Sequence, residues 1–162
     1  MAASKKTDKA DEGIKPICRN KRAYHDYALA DSLECGIVLT GTEVKSLREG
    51  SASLEDAYAK LEDGEVWLIG SDIPEYTMGN RLNHKPKRKR KLLLHRAEID
   101  KLLGKTRDKG LTVIPTRMYL KGGRIKCELA VARGKKLHDK RAAERERETQ
   151  AEARAAMNRR RV

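Results

Sequence analysis

Aromatic residues are scarce in this sequence of 162 residues, which has no phenylalanine, one tryptophan and five tyrosines. Hydrophobic residues make up 38% of the chain, which is enough for a small core but not for a large one. No apolar run reaches the roughly 18–20 residues that a membrane-spanning helix needs, so we expect no such helix. The first 13 residues lack the apolar centre of a signal peptide, so we do not expect secretion.

Cysteine is also scarce. Cys18, Cys35 and Cys127 are odd in number, widely spaced and without any CxxC pair. We therefore expect neither a disulfide framework nor a structural zinc site, and this cysteine usage fits the reducing cytoplasm best.

Known catalytic motifs are missing as well. The sequence contains no GxSxG, HExxH, P-loop or GxGxxG motif, so it indicates no enzyme class and no cofactor. The histidines are scattered, and His25 and Asp26 would point to opposite faces of the strand expected there. A nuclease that uses a few metal-binding carboxylates stays open as an alternative, although no spacing supports one.

Charge is abundant and unevenly distributed. Lys and Arg number 37 against 24 Asp and Glu, which gives a net charge of +13. This charge indicates a polyanionic partner, with nucleic acid the first candidate and an anionic membrane surface the second. Residues 1–22 carry +4, residues 85–91 carry +6 and residues 133–162 carry +6, while the rest of the chain carries −3. This distribution predicts localised contacts rather than a uniformly basic surface.

Apolar segments and two-residue turn signals predict an antiparallel β protein. Asp63-Gly64 and Gly122-Gly123 are typical of tight hairpin turns, and each lies between two strand-like segments. About six short strands in a chain of this size would close most easily into a small barrel, which leaves no exposed edges. The predicted strands are residues 23–29, 33–40, 56–62, 65–70, 111–120 and 124–132.

Two helices and a long loop are expected beside these strands. One helix is predicted over residues 42–49, ended by Gly50, and a second over residues 92–109. Residues 71–91 are predicted to form a loop that ends in the basic run 85–91. Contact with a phosphate backbone and a merely solvated loop both remain open for that run.

The two ends of the chain have compositions unlike that of the body, residues 16–132. Residues 1–15 are expected to form a disordered arm. Residues 133–162 contain good helix formers but only two large apolar residues, Leu137 and Met157. Because isolated helices are marginal in water, we expect this tail to be disordered when free and helical inside a negatively charged groove. A tail that serves only solubility is the alternative.

Four segments of the sequence together resemble the SsrA-binding protein family, the small protein B of trans-translation. They are NKRAYHDY (20–27), ECGIVLTGTEVKSLREG (34–50), KRKRKLLLH (87–95) and VARGKKLHDKR (131–141), in family order. The resemblance implies a mainly β fold: a closed six-stranded antiparallel barrel similar to the oligonucleotide-binding fold, with two or three short flanking helices. It also implies a monomeric binding protein without enzymatic activity or cofactor.

The resemblance implies a function in ribosome rescue. Members bind the tRNA-like domain of transfer-messenger RNA and bring it to 70S ribosomes stalled on messages without a stop codon. The barrel takes the place of an anticodon arm, and the tail enters the decoding centre and the empty mRNA channel of the small subunit. Alanyl-charged transfer-messenger RNA and elongation factor Tu are the further implied partners, and no membrane is involved. A generic basic RNA-binding barrel is the competing interpretation from the residues alone.

Positions that match the family motifs give this chain a set of implied RNA-facing residues. Gly36 and Glu43 belong to this set, and the alternative for these two is a purely structural role in the barrel. The implied RNA-facing residues are Asn20, Lys21, Tyr27, Glu34, Gly36, Glu43, Lys45, Lys91, Leu93, Lys126, Arg133, Lys135 and Lys136.

The tail carries a second set, which the resemblance assigns to the ribosome. The sequence departs from the family pattern in two places. In the basic loop, Lys85 replaces the usual Asp. In the far tail, Thr149 replaces an aromatic residue, and a bulky aliphatic pair is reduced to Ala156-Met157. The implied ribosome-binding residues are His138, Asp139, Lys140, Arg141 and Met157.

Overall fold

The computed structural model describes residues 13–79, 81–107, 110–135 and 137–160. Seven strands and four helices lie within these ranges, and most of the predicted arm 1–15 lies outside them. The elements in chain order are β1 (Ile14–Arg19), α1 (Lys21–Asp26), β2 (Tyr27–Ile37), α2 (Gly41–Arg48), β3 (Tyr58–Glu62), β4 (Glu65–Ile69), β5 (Arg90–Leu93), α3 (Arg96–Thr106), β6 (Leu111–Lys121), β7 (Arg124–Gly134) and α4 (Leu137–Arg160).

All pairings between the strands are antiparallel. The sheet has the order β1-β6-β3-β4-β5-β2-β7, with an additional pairing of β6 with β7. The pairings therefore run from β6 through β3, β4, β5, β2 and β7 back to β6. The mainly β prediction is confirmed, but the count of six strands is wrong for the sheet as a whole, because two predicted strands are parts of β2 and because β1 and β5 were not predicted.

The two hairpins form where their turn residues predicted them. Asp63 and Gly64 join β3 to β4, and Gly122 and Gly123 join β6 to β7. All four residues have positive φ, as the favoured two-residue hairpin turn requires. The local sequence therefore determines both hairpins and their register.

The predicted strand 23–29 is wrong over its first half, where α1 forms instead. Asn20 caps this helix by accepting a hydrogen bond from the backbone N–H of Ala23 at 3.0 Å. A six-residue helix is too short to show a helical period, and only one of the two tyrosines that favoured a strand, Tyr24, lies in it. His25 and Asp26 consequently do pair, with Nδ1 and Oδ1 2.7 Å apart, contrary to the prediction.

The predicted strands 23–29 and 33–40 share one long strand, β2. Its pairing with β7 is interrupted by a bulge between Ala30 and Leu33, where Asp31 has a φ of 50°. The polar residues at this bulge produced the apparent break in the sequence.

The remaining predictions place the other helices nearly correctly. The helix expected over 42–49 is α2, and the helix expected over 92–109 begins only at Arg96. The residues just before it form β5, which pairs with β2 and β4. None of the helices in the described part of the chain is long and apolar enough to cross a membrane.

The core is small and is formed by side chains of the sheet and of α2. Leu47, Val66, Leu68, Met118 and Leu129 are fully buried there. The three cysteines are free thiols, and burial raises the pKa of the Cys18 thiol to about 11. A thiol with such a pKa stays protonated at neutral pH and is a poor nucleophile.

Candidate nucleic-acid interface

Five of the predicted RNA-facing residues share one face of the sheet. Gly36 of β2 pairs with Leu93 of β5 on one side and with Lys126 of β7 on the other. Register partners point to the same face, and so do residues two apart on a strand. Glu34 and Lys91 therefore belong to this surface, which we call the outer face. The residue between Glu34 and Gly36 and the residue between Lys91 and Leu93 point the other way and are buried in the core.

A cleft of about 780 Å³ opens on the outer face, and all five of these residues line it. Leu93 is 52% exposed there. A Cβ added to Gly36 would lie 3.2 Å from the Cβ of Leu93, so the glycine leaves room for that side chain. The cleft thus combines apolar side chains with lysines and carboxylates.

The two lysines of the cleft differ in their partners. The Nζ of Lys91 donates a hydrogen bond to the carboxylate of Glu65 at 2.6 Å. Lys126 forms no ion pair with any residue in the described ranges. Of the two lysines, Lys126 is therefore the one that is available to an external anion.

Glu34 is fixed by two donors from β6. The hydroxyl of Tyr119 donates to its Oε2, and the Nζ of Lys121 lies 3.3 Å from the same oxygen. These hydrogen bonds, with that of Tyr119 the largest cause, hold the pKa of Glu34 below its ordinary value, and the charge of Lys126 adds to the effect. The ionised carboxylate keeps acceptor capacity on Oε1 for N–H or 2′-hydroxyl donors.

The sequence prediction missed the support that β6 gives to this site. The ring of Tyr119 is buried, and the guanidinium of Arg117 lies over it, 4.8 Å from the ring centre. Arg117 also pairs with Glu128 of β7 at 3.0 Å. The alternation of Arg117, Tyr119 and Lys121 was visible in the sequence, but only the register places it beside Glu34.

Glu43 does not belong to the outer face, and its predicted contact with RNA is corrected here. Its carboxylate is fully buried and accepts hydrogen bonds from Arg88 at 2.9 Å and Arg90 at 3.1 Å. It also accepts from the backbone N–H of Thr40 at 3.0 Å. Burial by itself would raise the pKa of Glu43, but the hydrogen bonds from Arg88 and Thr40 and the charge of Arg90 lower it overall. Glu43 joins α2 to the segment that leads into β5.

Asn20 is likewise a structural residue, so its predicted RNA contact is also corrected. Its side chain is 1% exposed and uses both ends of the amide. The Nδ2 donates to the carbonyls of Leu54 and Pro115 at 2.9 and 3.0 Å, while the Oδ1 caps α1. No hydrogen-bonding capacity on Nδ2 is left for RNA.

The basic run 85–91 is largely occupied inside the protein. Arg90 is completely buried and donates to Ser71 and to the carbonyls of Pro86 and Arg88. Lys89 pairs with Glu62 at 2.6 Å. Much of the run therefore anchors a loop, which differs both from contact with a phosphate backbone and from a merely solvated loop.

The other predicted body residues lie away from the cleft. Tyr27 pairs with Gly134 at the opposite end of the β2–β7 ladder, roughly 25–30 Å from Gly36. Lys21 and Arg133 are exposed near this end, and Lys135 donates to the carbonyl of Tyr24 at 3.3 Å. Lys45 of α2 is exposed, with its Nζ 5.5 Å from the ring centre of Tyr76. Lys136 lies outside the described residues.

The tail differs from the disordered state predicted for the free protein, because α4 is a continuous helix. Its alanine, glutamate and arginine residues favour helix formation. It also contacts α1: His25 bonds to Glu144 at 2.6 Å, and Lys140 lies 3.4 Å from Asp26. These contacts supply the attachment that apolar residues could not.

The predicted tail residues all belong to α4. Arg141 and Met157 are exposed, and Met157 is 70% exposed. His138 and Asp139 lie in the first turns of the helix, and their side chains are outside the described part.

The attachment of α4 is expected to depend on pH through His25. Hydrogen bonds to Glu144 and then to Asp26 raise the pKa of His25 above its ordinary value. Only the imidazolium can donate to both carboxylates, so the contact is complete below the ordinary pKa and is lost as the pH rises through the raised pKa. Titration of the His25 ring by NMR should report a raised pKa, which Glu144→Gln returns towards the ordinary value.

A matched change one helical turn further along α4 serves as the control. Glu148→Gln removes a carboxylate of the same helix that does not contact His25, so the His25 titration should not change. An equal effect of both substitutions would contradict a specific contact between His25 and Glu144.

A small, strongly basic, antiparallel β protein with a lysine-bearing outer face belongs to the class of nucleic-acid-binding proteins. The model of the SmpB protein family matches residues 17–159. The chain therefore belongs to the SmpB family.

Individual relatives support this assignment. The SsrA-binding protein of Thermobifida fusca is 55% identical over 161 residues, which cover 99% of this chain and 100% of that protein. That of Bifidobacterium adolescentis is 57% identical over 148 residues, covering 91% and 93%. A solved structure described as "tmRNA-SmpB: a journey to the center of the bacterial ribosome" is 47% identical, with a TM-score of 0.65. It covers 75% of this chain and 86% of that one.

Proposed function

We propose that this protein binds transfer-messenger RNA in trans-translation, and that the outer face of β2, β5 and β7 is a principal contact surface. The observation that carries the proposal is the convergence of Glu34, Gly36, Lys91, Leu93 and Lys126 on one cleft. These residues come from separate segments of the sequence and are related by strand register. Membership in a family of SsrA-binding proteins supplies the identity of the RNA.

Each part of the cleft suits a different part of an RNA. Lys126 offers an unpaired cation to a phosphate, and its binding would release counterions. Glu34 is an acceptor for base N–H groups or a ribose hydroxyl, which a phosphate-binding surface would not need. Leu93 offers an apolar contact to a sugar or a base. This mixture favours a structured RNA over sequence-independent binding to any polyanion.

The six strands of the cyclic pairing form, in this proposal, a closed barrel similar to the oligonucleotide-binding fold. The pairings β6–β3, β3–β4, β4–β5, β5–β2, β2–β7 and β7–β6 support closure. A closed sheet has no free edge and holds the outer face rigidly, so the contacts with RNA would be preorganised.

The tail has a separate role in the proposal, on the ribosome. Residues 133–162 carry +6 and would enter the decoding centre and the empty mRNA channel as a helix. His138, Asp139, Lys140 and Arg141 would contact the decoding centre, with Met157 further along the channel. The protein acts as a monomeric adaptor without catalytic activity and works with alanyl-charged transfer-messenger RNA and elongation factor Tu.

The test compares binding of the purified protein to transfer-messenger RNA and to an ordinary tRNA at the same salt concentration. We expect clearly tighter binding to transfer-messenger RNA. Lys126→Ala should weaken that binding on the order of tenfold, since it removes a charge-assisted hydrogen bond. The slope of log K against log salt should become shallower by about 1. Lys91→Ala should have a smaller effect because Lys91 is already paired with Glu65.

Lys15→Ala is the matched control. Lys15 is exposed and pairs with Leu120, so it points away from the face that bears Tyr119. Its removal subtracts the same charge and should leave the affinity nearly unchanged. Equal losses for Lys15→Ala and Lys126→Ala would indicate a generic basic protein. Metal-dependent cleavage of the RNA would instead support the nuclease.

A further inference from the structure

Trp67, the single tryptophan of the chain, lies on the outer face beside the cleft. It pairs in register with Lys91 of β5 and with Lys60 of β3. Its neighbours Val66 and Leu68 are fully buried, so Trp67 points outwards, where it is partly exposed. It packs into neither of the buried hydrophobic clusters of the described residues. A large aromatic ring at this place is therefore not explained by the core.

The ring of Trp67 is covered by a cation that can move. The Nζ of Lys89 lies 4.7 Å from the ring centre and also pairs with Glu62 at 2.6 Å. The side chains of Lys89 and Glu62 are each 42% exposed. Because such half-exposed ion pairs are weak, another group can displace the lysine from the ring at little cost.

The surroundings of the ring match one nucleotide. A flat aromatic face suits any base, because every base has a π-face, and nearby lysines suit its phosphate. The surface is continuous with the cleft, since Lys91 lines the cleft and is the register partner of Trp67. A base in a duplex is already stacked on both sides, so the ligand must be an unpaired nucleotide.

We propose that Trp67 is a stacking platform for an unpaired base of the bound RNA. Lys89 leaves the ring and Glu62 when the base arrives and pairs with a phosphate of the same strand. The inference rests on the proposed function, and it extends the RNA-binding surface from the cleft across β5 to β4.

The single tryptophan makes the test direct, because all tryptophan emission comes from Trp67. Titration of the full chain with the tRNA-like domain of transfer-messenger RNA should quench this emission. An RNA duplex of equal length, at a concentration where it is bound, should leave the emission nearly unchanged. Equal quenching by both RNAs, or no quenching by the bound tRNA-like domain, would overturn the proposal.

Two substitutions separate stacking from packing. Trp67→Leu keeps an apolar side chain without a π-face and should weaken binding of the tRNA-like domain roughly five- to 100-fold. Trp67→Phe keeps a ring and should retain most of the affinity. Unfolding curves and far-UV circular dichroism check that both variants fold; if Trp67→Leu does not, the fluorescence titration of the unmodified chain decides.

Binding measurements on these variants and on the unmodified chain distinguish a wrong role for Trp67 from a wrong RNA partner. If Trp67→Leu binds the tRNA-like domain as tightly as the unmodified chain while Lys126→Ala binds weakly, the platform is refuted and the cleft stands. If the unmodified chain does not prefer transfer-messenger RNA to tRNA, the proposed function itself fails.

Discussion

Replacement of Glu43 by glutamine is expected to lower the free energy of unfolding by about 3–5 kcal/mol. The carboxylate is completely buried with the guanidinium of Arg90, and it also pairs with Arg88. Removal of its charge takes from the buried Arg90 the carboxylate that it bonds to, and that is costly in a medium of low polarity. Urea denaturation monitored by circular dichroism measures the loss.

Glu62→Gln is the matched control for this prediction. Glu62 pairs with Lys89 of the basic run, but both side chains are half-exposed, so Glu62→Gln should lower the free energy of unfolding far less than Glu43→Gln does. Similar losses for the two substitutions would contradict a buried ionic network around Glu43. Because the pKa of Glu43 is lowered in the folded protein, its contribution is present above its ordinary pKa and is lost as the pH falls through the lowered value.

The role of Glu43 also indicates where sequence reasoning reaches its limit. The segment that contains it correctly predicted the short helix α2, and resemblance suggested a contact with RNA. Its partners Arg88 and Arg90 lie more than 40 residues away in a run that reads as a solvated or phosphate-binding loop. No local pattern connects a carboxylate in a helix with two arginines before a strand.

Local chemistry predicted those parts of the fold that depend on few residues. The hairpins at Asp63-Gly64 and Gly122-Gly123 require positive φ at two positions, and the sequence supplies residues that tolerate it. The helix α1 was missed because it depends on the Asn20 cap, whose amide also bonds to distant carbonyls. The bulge at Asp31 was mistaken for the end of one strand and the start of another for a similar reason, since only the pairing of β2 with β7 reveals it.

The candidate site was predictable residue by residue but not as a surface. Glu34, Gly36 and Lys126 were named from the family resemblance, together with Asn20 and Glu43. Only the register of β2 with β5 and β7 separates the three residues that line the cleft from the two that are buried. No pattern in the sequence distinguishes Trp67, because a tryptophan on a short strand is normally largely buried.

Removal of the chain after Gly134 is expected to abolish ribosome rescue while binding of transfer-messenger RNA persists. All residues that line the cleft precede this point, and α4 contacts the body chiefly at α1. The truncated protein should bind the tRNA-like domain within about tenfold of the full chain, since it loses only Lys135 and Lys136 from the proposed body contacts. Tagging of a nascent chain on ribosomes stalled without a stop codon measures rescue.

A second truncation, after Lys136, is the matched control for those two lysines. It removes the same helix but keeps Lys135, whose side chain bonds to the carbonyl of Tyr24. If the division into body and tail is correct, this protein binds RNA like the full chain and still fails in rescue, because nothing remains to follow the mRNA channel. Loss of RNA binding and rescue together in both truncations would mean that α4 is part of the RNA-binding body. Its contacts through His25 and Asp26 would then be the structural basis of that larger unit.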